Sequence, residues 1–376
     1  MSVSRNDIRK ENRNDLYRVL SDQSEYTVSE LAVRNKLSVP TAAQYLKELI
    51  AEGLAEEAGS IRSTGGRSAK TYIRKKDARL SVGIDITQNH IIIAVIDLAG
   101  DIICISEREK FSFEDTDECC DQIVDKLSKF LTENCVELGK ILGVGVSVPC
   151  IVDPETDKVI YGMVVQAPED LKQKFECRLS WPVVIFNDAN AAGNAEIRLG
   201  KSSGCRGMTF YLMLSNSVGG AIIHQNSIYA GANGRSSEIG HMRIVPNGRM
   251  CYCGQRGCVD SYCSAKILSN RTEGNLQRFF EEVDKGDLKL RKVLDEYLRY
   301  LAVSIVNIRM LFDGDIILGG YVGPYLENYL GRIQELVKDL NPFSKEVSYL
   351  HTCTLQTEAS TLGAAMFFID RFIDEI

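Results

Sequence analysis

LSVGIDITQNHIIIAVIDLAGDIICISERE, residues 80–109, is the stretch whose reading decides the fold. It alternates strand-like apolar runs, and Ala99–Gly100 marks a turn between two of them, the pattern of a strand hairpin. Downstream the texture continues. A helical stretch covers about 114–138, and ILGVGVSVPCIVD (141–153) reads as a buried strand and loop. WPVVIFNDANAAGNAEIRLG (181–200) runs from a strand through Asn187–Asp188 into a helix, and residues 208–234 form a strand pair around a glycine turn. DIILGGYVG (315–323) passes from a strand into a glycine-rich helix start, and STLGAAMFFIDRFI (360–373) is a closing helix. Strand and helix alternating over nearly 300 residues make an α/β body, too long for one compact lobe. Two lobes with a cleft follow. The first is expected over 80–190 with the C-terminal helix 360–376, and the second over 191–359.

Composition narrows the function classes. The chain has 376 residues, 44% hydrophobic and 25% charged, as in soluble globular proteins. No apolar run reaches the ~20 residues of a membrane helix, and the polar N-terminus carries no secretory core. Twelve cysteines without an export signal read as reduced thiols, so a cytoplasmic location is expected. Charge is uneven. Residues 1–80 hold 15 Lys+Arg against 11 Asp+Glu, and the remainder 29 against 40. A basic head on an acidic body suits a polyanionic partner.

The head has the pattern for that partner. In YTVSELAVRNKLSVPTAAQYLKELIAEGLAEE (26–57), Thr27 and Glu30 form a capping box opening a short helix with Leu31, Ala32 and Val33. NKLS is a turn. Ser38 caps a second helix, with Pro40 and Thr41 in its first turn and Ala42, Tyr45, Leu46, Leu49 and Ile50 on its buried face. This is a helix-turn-helix, whose second helix enters a DNA major groove. Val39, Pro40, Thr41, Gln44 and Lys47 are the candidate contacts, Thr41 and Gln44 for base edges and Lys47 for phosphate. Two strand-like pieces then flank STGGR, as in a wing, with Arg67 on a basic arm suited to a minor groove. RKKDAR (74–79) reads as a linker, making 1–79 a winged helix-turn-helix domain with its linker.

GHMRIVPNGRMCYCGQRGCVDSYCS (240–264) concentrates metal-binding chemistry. His241, Cys251, Cys253 and Cys258 supply one imidazole and three thiolates, the closed tetrahedral set of a structural Zn²⁺ site, with no position open for an activated water. Cys263, five residues beyond Cys258, falls outside the set.

Together, the EIGH segment, CxCGxxGC, NDANAA, GANG, the terminal LGAA helix and a winged helix ending in TGGR resemble the ROK family (repressor, open reading frame, kinase) over nearly the whole chain. The resemblance implies the two-lobed actin-like (ASKHA) sugar-kinase fold. For members with a DNA-binding head it implies a transcription repressor controlled by a sugar. It places Asp188 at the kinase base position, and Asn187, Asp188, Glu238 and His241 at sugar contacts. Asp260, a further sugar contact it implies, stands where the family usually has Glu, its carboxylate retracted by one carbon so that the preferred sugar can differ. His241 would then both bind zinc and face the sugar with its other nitrogen. The family's first phosphate loop, DxGGT, is here DITQN (85–89), and the second, approximately GTGxGGG, is SNSVGGA (215–221). Side chains on Thr87 and Gln88 crowd the approach of backbone N–H groups to phosphate. A body without catalysis is expected: a sugar-responsive regulator of carbohydrate genes, as a homodimer or homotetramer binding operator DNA. The alternative is an active ATP-dependent sugar kinase with a regulatory head. QAPED (166–170) puts Glu169 where kinases have Asn, facing either an amino sugar or solvent.

Overall fold

The computed structural model describes residues 5–20, 24–61, 68–200, 207–225 and 227–376. In the head, α1 (Arg5–Val19), β1 (Tyr26–Thr27), α2 (Val28–Arg34), α3 (Val39–Ala51), β2 (Ala55–Ile61) and β3 (Ala69–Arg74) pack as three helices on a sheet ordered β1-β3-β2. The capping box forms: Thr27 Oγ1 accepts from the Glu30 N–H, and Glu30 Oε2 accepts from the Thr27 N–H at 2.8 Å. Ser38 Oγ accepts from the Thr41 N–H and so caps α3. Ala42, Tyr45, Leu46 and Leu49 are buried as expected, but Ile50 is exposed. It lies about 100° around the helix from Leu49, off the buried stripe. Val33 likewise faces solvent, while Leu31 and Ala32 are buried.

The first body sheet contains β4 (Leu80–Ile86), β5 (His90–Asp97) and β6 (Ile102–Ile105), with β7 (Glu109–Lys110) beside β5. After α4 (Asp117–Glu133) come β8 (Ile141–Val148), β9 (Ile151–Val152), β10 (Val159–Tyr161), α5 (Leu171–Glu176) and β11 (Val183–Asn187). The sheet order is β11-β8-β4-β5-β6, parallel from β11 through β4 and antiparallel beyond. Then α6 (Asp188–Leu199) leads to β12 (Met208–Leu214), β13 (Val218–His224) and β14 (Ser227–Ile228). Helices α7 (Asp260–Cys263), α8 (Ala265–Ser269), α9 (Leu276–Asp284) and α10 (Leu288–Phe312) precede β15 (Asp315–Gly319), α11 (Gly323–Leu326), α12 (Leu330–Leu340), β16 (Leu350–Thr352) and α13 (Ala359–Glu375). The second sheet is ordered β14-β13-β12-β15-β16. Each sheet has its own apolar core.

Helix α13 lies directly on the first sheet. A Cβ at Gly145 would stand 2.0 Å from the Ala364 carbonyl oxygen, so only glycine permits this approach. The expected lobe boundary at 190 falls inside α6, one continuous helix that lies on α13 and also on β12 and β13. Its hydrogen-bonded backbone cannot be divided there.

RKKDAR is not a free linker. Arg74 is the last residue of β3 and is buried, its guanidinium donating to Tyr17 O at 3.2 Å and Leu98 O at 2.8 Å and stacking over the Tyr17 ring. Leu16, Tyr17 and Leu20 of the head join Ile96, Leu98, Leu362, Met366 and Ile369 of the body in one cluster. Asn14 donates to Asp374 O at 2.7 Å, and Arg18 pairs with the Asp374 carboxylate. The head therefore shares a core with the first lobe and α13. No helix among the described residues is long and apolar enough to cross a membrane.

Candidate functional site

In open α/β sheets, ligands meet the carboxyl ends of the parallel strands. Here those ends deliver Asp85 and Thr87 from β4, Pro149–Cys150 from β8, Asn187–Asp188 from β11, Ser215 from β12 and Tyr321 from β15. A narrow cleft pocket of about 60 Å³ is lined by Asn187, Asp188, Glu238 and His241. Tyr252, Tyr161 and Met163 line it too. At ~30 Å³ per water, that volume holds about two waters, so a sugar requires a wider cleft.

Asn187 rather than Asp188 is the N-cap of α6. Its Oδ1 accepts from the Asn190 N–H at 3.0 Å and its Nδ2 donates to Cys150 O at 3.0 Å. Asp188 is thus left at the first helical position, where one carboxylate oxygen accepts the Ala189 N–H at 2.8 Å. Burial pushes the Asp188 carboxyl up to about 8, with the charges of Asp85 and Glu238 adding to the rise. Asp85 is buried and accepts the Ser147 hydroxyl at 2.7 Å. Burial raises it to about 6, partly offset by Ser147 and Arg108. Glu238 is raised by desolvation as well. Burial thus raises the proton affinity of three carboxyl groups at one cleft, and a carboxyl that holds its proton can donate as well as accept a hydrogen bond with a hydroxyl group. Glu238 follows Ser237, which takes a left-handed φ of 63° and donates its hydroxyl to Gly220 O at 2.9 Å.

Two expected sugar contacts are placed differently. Asp260 is buried outside the pocket lining, and its Oδ2 accepts the Val218 N–H at 2.7 Å. The backbone donor engages one oxygen of the shorter side chain. Burial raises it to about 6. His241 lines the pocket, but its Nε2 lies 3.4 Å from the Tyr252 hydroxyl, which covers the nitrogen expected to face a sugar. Tyr252 sits between the knuckle cysteines, so the CxC spacing could have pointed to it. Glu169 pairs with Lys158 on the surface, at 2.8 Å.

His241, Cys251, Cys253 and Cys258 come together, with one ligand atom from each within 4.8 Å of the others. His241 Nδ1 lies 3.9 Å from Cys251 Sγ, and the Cys253 and Cys258 sulfurs are 3.8 Å apart. Tetrahedral Zn–S bonds of ~2.3 Å imply sulfur separations of about 3.8 Å, so the donors fit a metal ion. Gly257 makes the knuckle possible: its φ is +84°, and a Cβ would stand 1.7 Å from Val245 O. Cys263 is fully buried and apart from the cluster.

At the opposite end of the cleft the side chains bond to the chain itself. Residues 87–89 form a tight hairpin turn in which the Thr87 N–H donates to His90 O at 2.9 Å and Thr87 Oγ1 accepts the His90 N–H at 3.1 Å. Ser215 O accepts the Ala265 N–H at 2.7 Å, and Ser215 Oγ accepts the Tyr321 N–H. Across the cleft Arg108 donates to the Tyr321 hydroxyl at 2.8 Å and lies 4.4 Å from the ring centroid. The loop motifs alone carried no signal for this contact, since Arg108 lies outside all of them.

In the head, Val39, Pro40, Gln44 and Lys47 are exposed and share the outer part of α3. Thr41 is half-buried, its hydroxyl 2.7 Å from that of Ser38, and the Gln44 amide donates to Glu48 at 3.2 Å. Arg67 lies outside the described residues.

A profile described as the ROK family matches residues 81–371. The xylose repressor of Bacillus subtilis is 26% identical, covering 98% of this chain and 97% of its own. The DNA-binding transcriptional dual regulator NagC of Escherichia coli is 22% identical, covering 82% and 79%. Among solved structures, a ROK family transcriptional regulator, described as a homologue of the E. coli MLC protein, superposes with a TM-score of 0.77 at 18% identity, covering 98% of this chain and 97% of its own. A glucokinase from Streptomyces griseus, in complex with glucose and AMPPNP, gives 0.65 at 27% identity over 77% and 98%. These likenesses agree with the two-lobed α/β, actin-like architecture.

Proposed function

The chain belongs to the ROK family, and on that footing we propose that it is a sugar-responsive DNA-binding transcriptional repressor of carbohydrate-utilisation genes. Its kinase-like body senses a sugar and does not phosphorylate it. The observation that carries this reading is the shared core between head and body, with Arg74 and α13 at the junction. It gives movement of the lobes a rigid route to α3. Exposed Val39, Pro40, Gln44 and Lys47, with Thr41 and Arg67, are the proposed DNA contacts. Two heads of a cytoplasmic homodimer or homotetramer would read two operator half-sites.

Asp188, Glu238, Asn187 and His241 are the proposed sugar contacts. The names of the repressor relatives, xylose and N-acetylglucosamine, support a monosaccharide or its derivative as effector. A sugar that widens the ~60 Å³ pocket binds the open form better, and only that difference in affinity can shift the chain away from DNA. The metal cluster is proposed to hold structural zinc, which fixes the His241 tautomer and anchors Tyr252 beside it.

A mobility-shift assay on the DNA upstream of the protein's own gene tests the reading. A shifted band at low salt, lost on adding the effector sugar, is expected; no band at low salt refutes it. The kinase reading draws on one observation, the Asp188 carboxyl raised to about 8 near a general base's working range. Sugar-dependent ADP release at roughly 1–100 per second would favour it.

A further inference from the structure

We infer that a second pocket, adjoining the cleft at Asn187, binds a neutral carbohydrate. The cavity has a volume of about 400 Å³ and lies where residues 152–157, the end of β11, α6, β14 and α13 meet. That volume is within the ~300–1,000 Å³ range of small-molecule sites, whereas the cleft pocket is far below it.

Its lining has the chemistry for uncharged hydroxyl-rich rings. Asn190 and Asn194 of α6 share one helix face and both line the cavity. Among the described residues neither side-chain amide makes a hydrogen bond. An amide offers donors and an acceptor together, and a sugar hydroxyl uses both. Phe186 and Phe367, with ring centroids 5.3 Å apart, form an apolar wall for the C–H face of a ring.

The charges argue for neutrality. The described lining contains Asp153, Asp157 and Asp370 but no Lys, Arg or His. Each acid already has a partner: Asp153 accepts the Glu155 and Thr156 N–H groups, Asp157 pairs with Lys172, and Asp370 pairs with Arg198. The field there disfavours phosphate, and Lys172 and Arg198 already neutralise two of the three carboxylates, while the third, Asp153, has one oxygen engaged by two backbone N–H groups. The pocket stands apart from the proposed cleft contacts except for Asn187, whose amide is committed to the N-cap and to Cys150.

Full-length protein is titrated by calorimetry with glucose, xylose and sucrose, and with glucose 6-phosphate and glucosamine as charged counterparts. Asn194→Leu and Asn190→Leu block the pocket. Asn194→Asp keeps the shape and removes the amide donors, which guards against misfolding of the leucine variants, and Asp188→Asn reports on the cleft separately. At least one neutral sugar should show a second binding event, distinct from that of the cleft, that persists when Asp188→Asn weakens the cleft and loses tenfold or more in each pocket variant, with the charged counterparts binding more weakly. Neutral-sugar binding abolished by Asp188→Asn and unaltered in all three pocket variants overturns the second site while leaving the cleft reading intact. Tighter binding of glucosamine or glucose 6-phosphate at the pocket overturns its neutral specificity. The absence of saturable binding by all three neutral sugars overturns the inference outright.

Discussion

The two ends of the cleft are built on the same fold by opposite means. At one end Asp188 and Glu238 line a narrow pocket beside a metal-ready knuckle. At the other the strand-end loops spend their polar groups on one another. Thr87 closes its own turn, Ser215 receives the Tyr321 N–H, and Arg108 bridges to Tyr321. A backbone cradle for phosphate needs free N–H groups and room for close approach. Polar groups face the cleft at the first end, and hydrogen bonds within the chain take them up at the second. On the proposed reading, the difference teaches that an actin-like body can keep the means to bind a sugar while its own side chains engage one another where a nucleotide would lie.

The largest expected effect breaks the knuckle. Cys251→Ser should abolish bound metal, read by mass spectrometry of the purified protein, and lower the melting temperature by roughly 10 °C or more, since a structural metal contributes folding free energy directly. It should also weaken sugar binding, because His241 and Tyr252 are held by the same knuckle. Metal loss with an unchanged sugar response would separate the two.

Next is Asp188→Asn, which should cost roughly 10- to 100-fold in the cleft's own sugar affinity by isothermal titration, the usual cost of leaving a buried hydrogen-bonding partner unsatisfied. The same variant has a signed pH signature. The folded-state value of about 8 lies above the ~3.9 of an unfolded Asp, so the folded chain holds an extra proton between them. That contribution is complete below about pH 4 and is lost as pH rises through about 8. The melting temperature of the unsubstituted chain should therefore fall between pH 6 and pH 9 by more than that of Asp188→Asn. Parallel curves would contradict the placement of this carboxyl.

How far the sequence carried this reading differs by region. The capping box, Ser38 cap, β4–β5–β6 meander and four-ligand knuckle were legible because each rests on short-range spacing and side-chain chemistry. Ile50 and the boundary at 190 were misread for local reasons, a residue beside the apolar stripe and a helix that serves both lobes. For Asp260 the identity suggested a retracted sugar contact, and the signal for its place outside the pocket lining is a backbone donor 42 residues away. Arg74 resembled its charged neighbours in a linker. Only the tertiary fold brings Tyr17 and Leu98 to its guanidinium.

The junction offers a third test. Arg74→Met removes two hydrogen bonds from a buried guanidinium and a stack on Tyr17, and should destabilise the chain by about 2–4 kcal/mol in urea unfolding. Sugar affinity should stay within twofold while sugar-driven DNA release weakens. Full release in this variant would move the coupling elsewhere.

The smallest effect belongs to the second end of the cleft. Arg108→Ala removes one hydrogen bond and one cation–π contact between the lobes, of which the exposed cation–π contact is worth about 0.5–1 kcal/mol. The sugar association rate, by stopped flow, should rise about two- to fivefold as the cleft opens more readily. A slower rate would show that the contact assists binding.

The central claim is that sugar occupancy of the cleft controls the head without phosphoryl transfer. Fluorescence anisotropy of labelled upstream DNA, titrated with the effector sugar in the absence of nucleotide, tests it most directly. The account predicts release of DNA that saturates with sugar, is unaffected by added ATP, and is lost in Asp188→Asn. DNA binding indifferent to sugar, or release only when ATP is present, would contradict it.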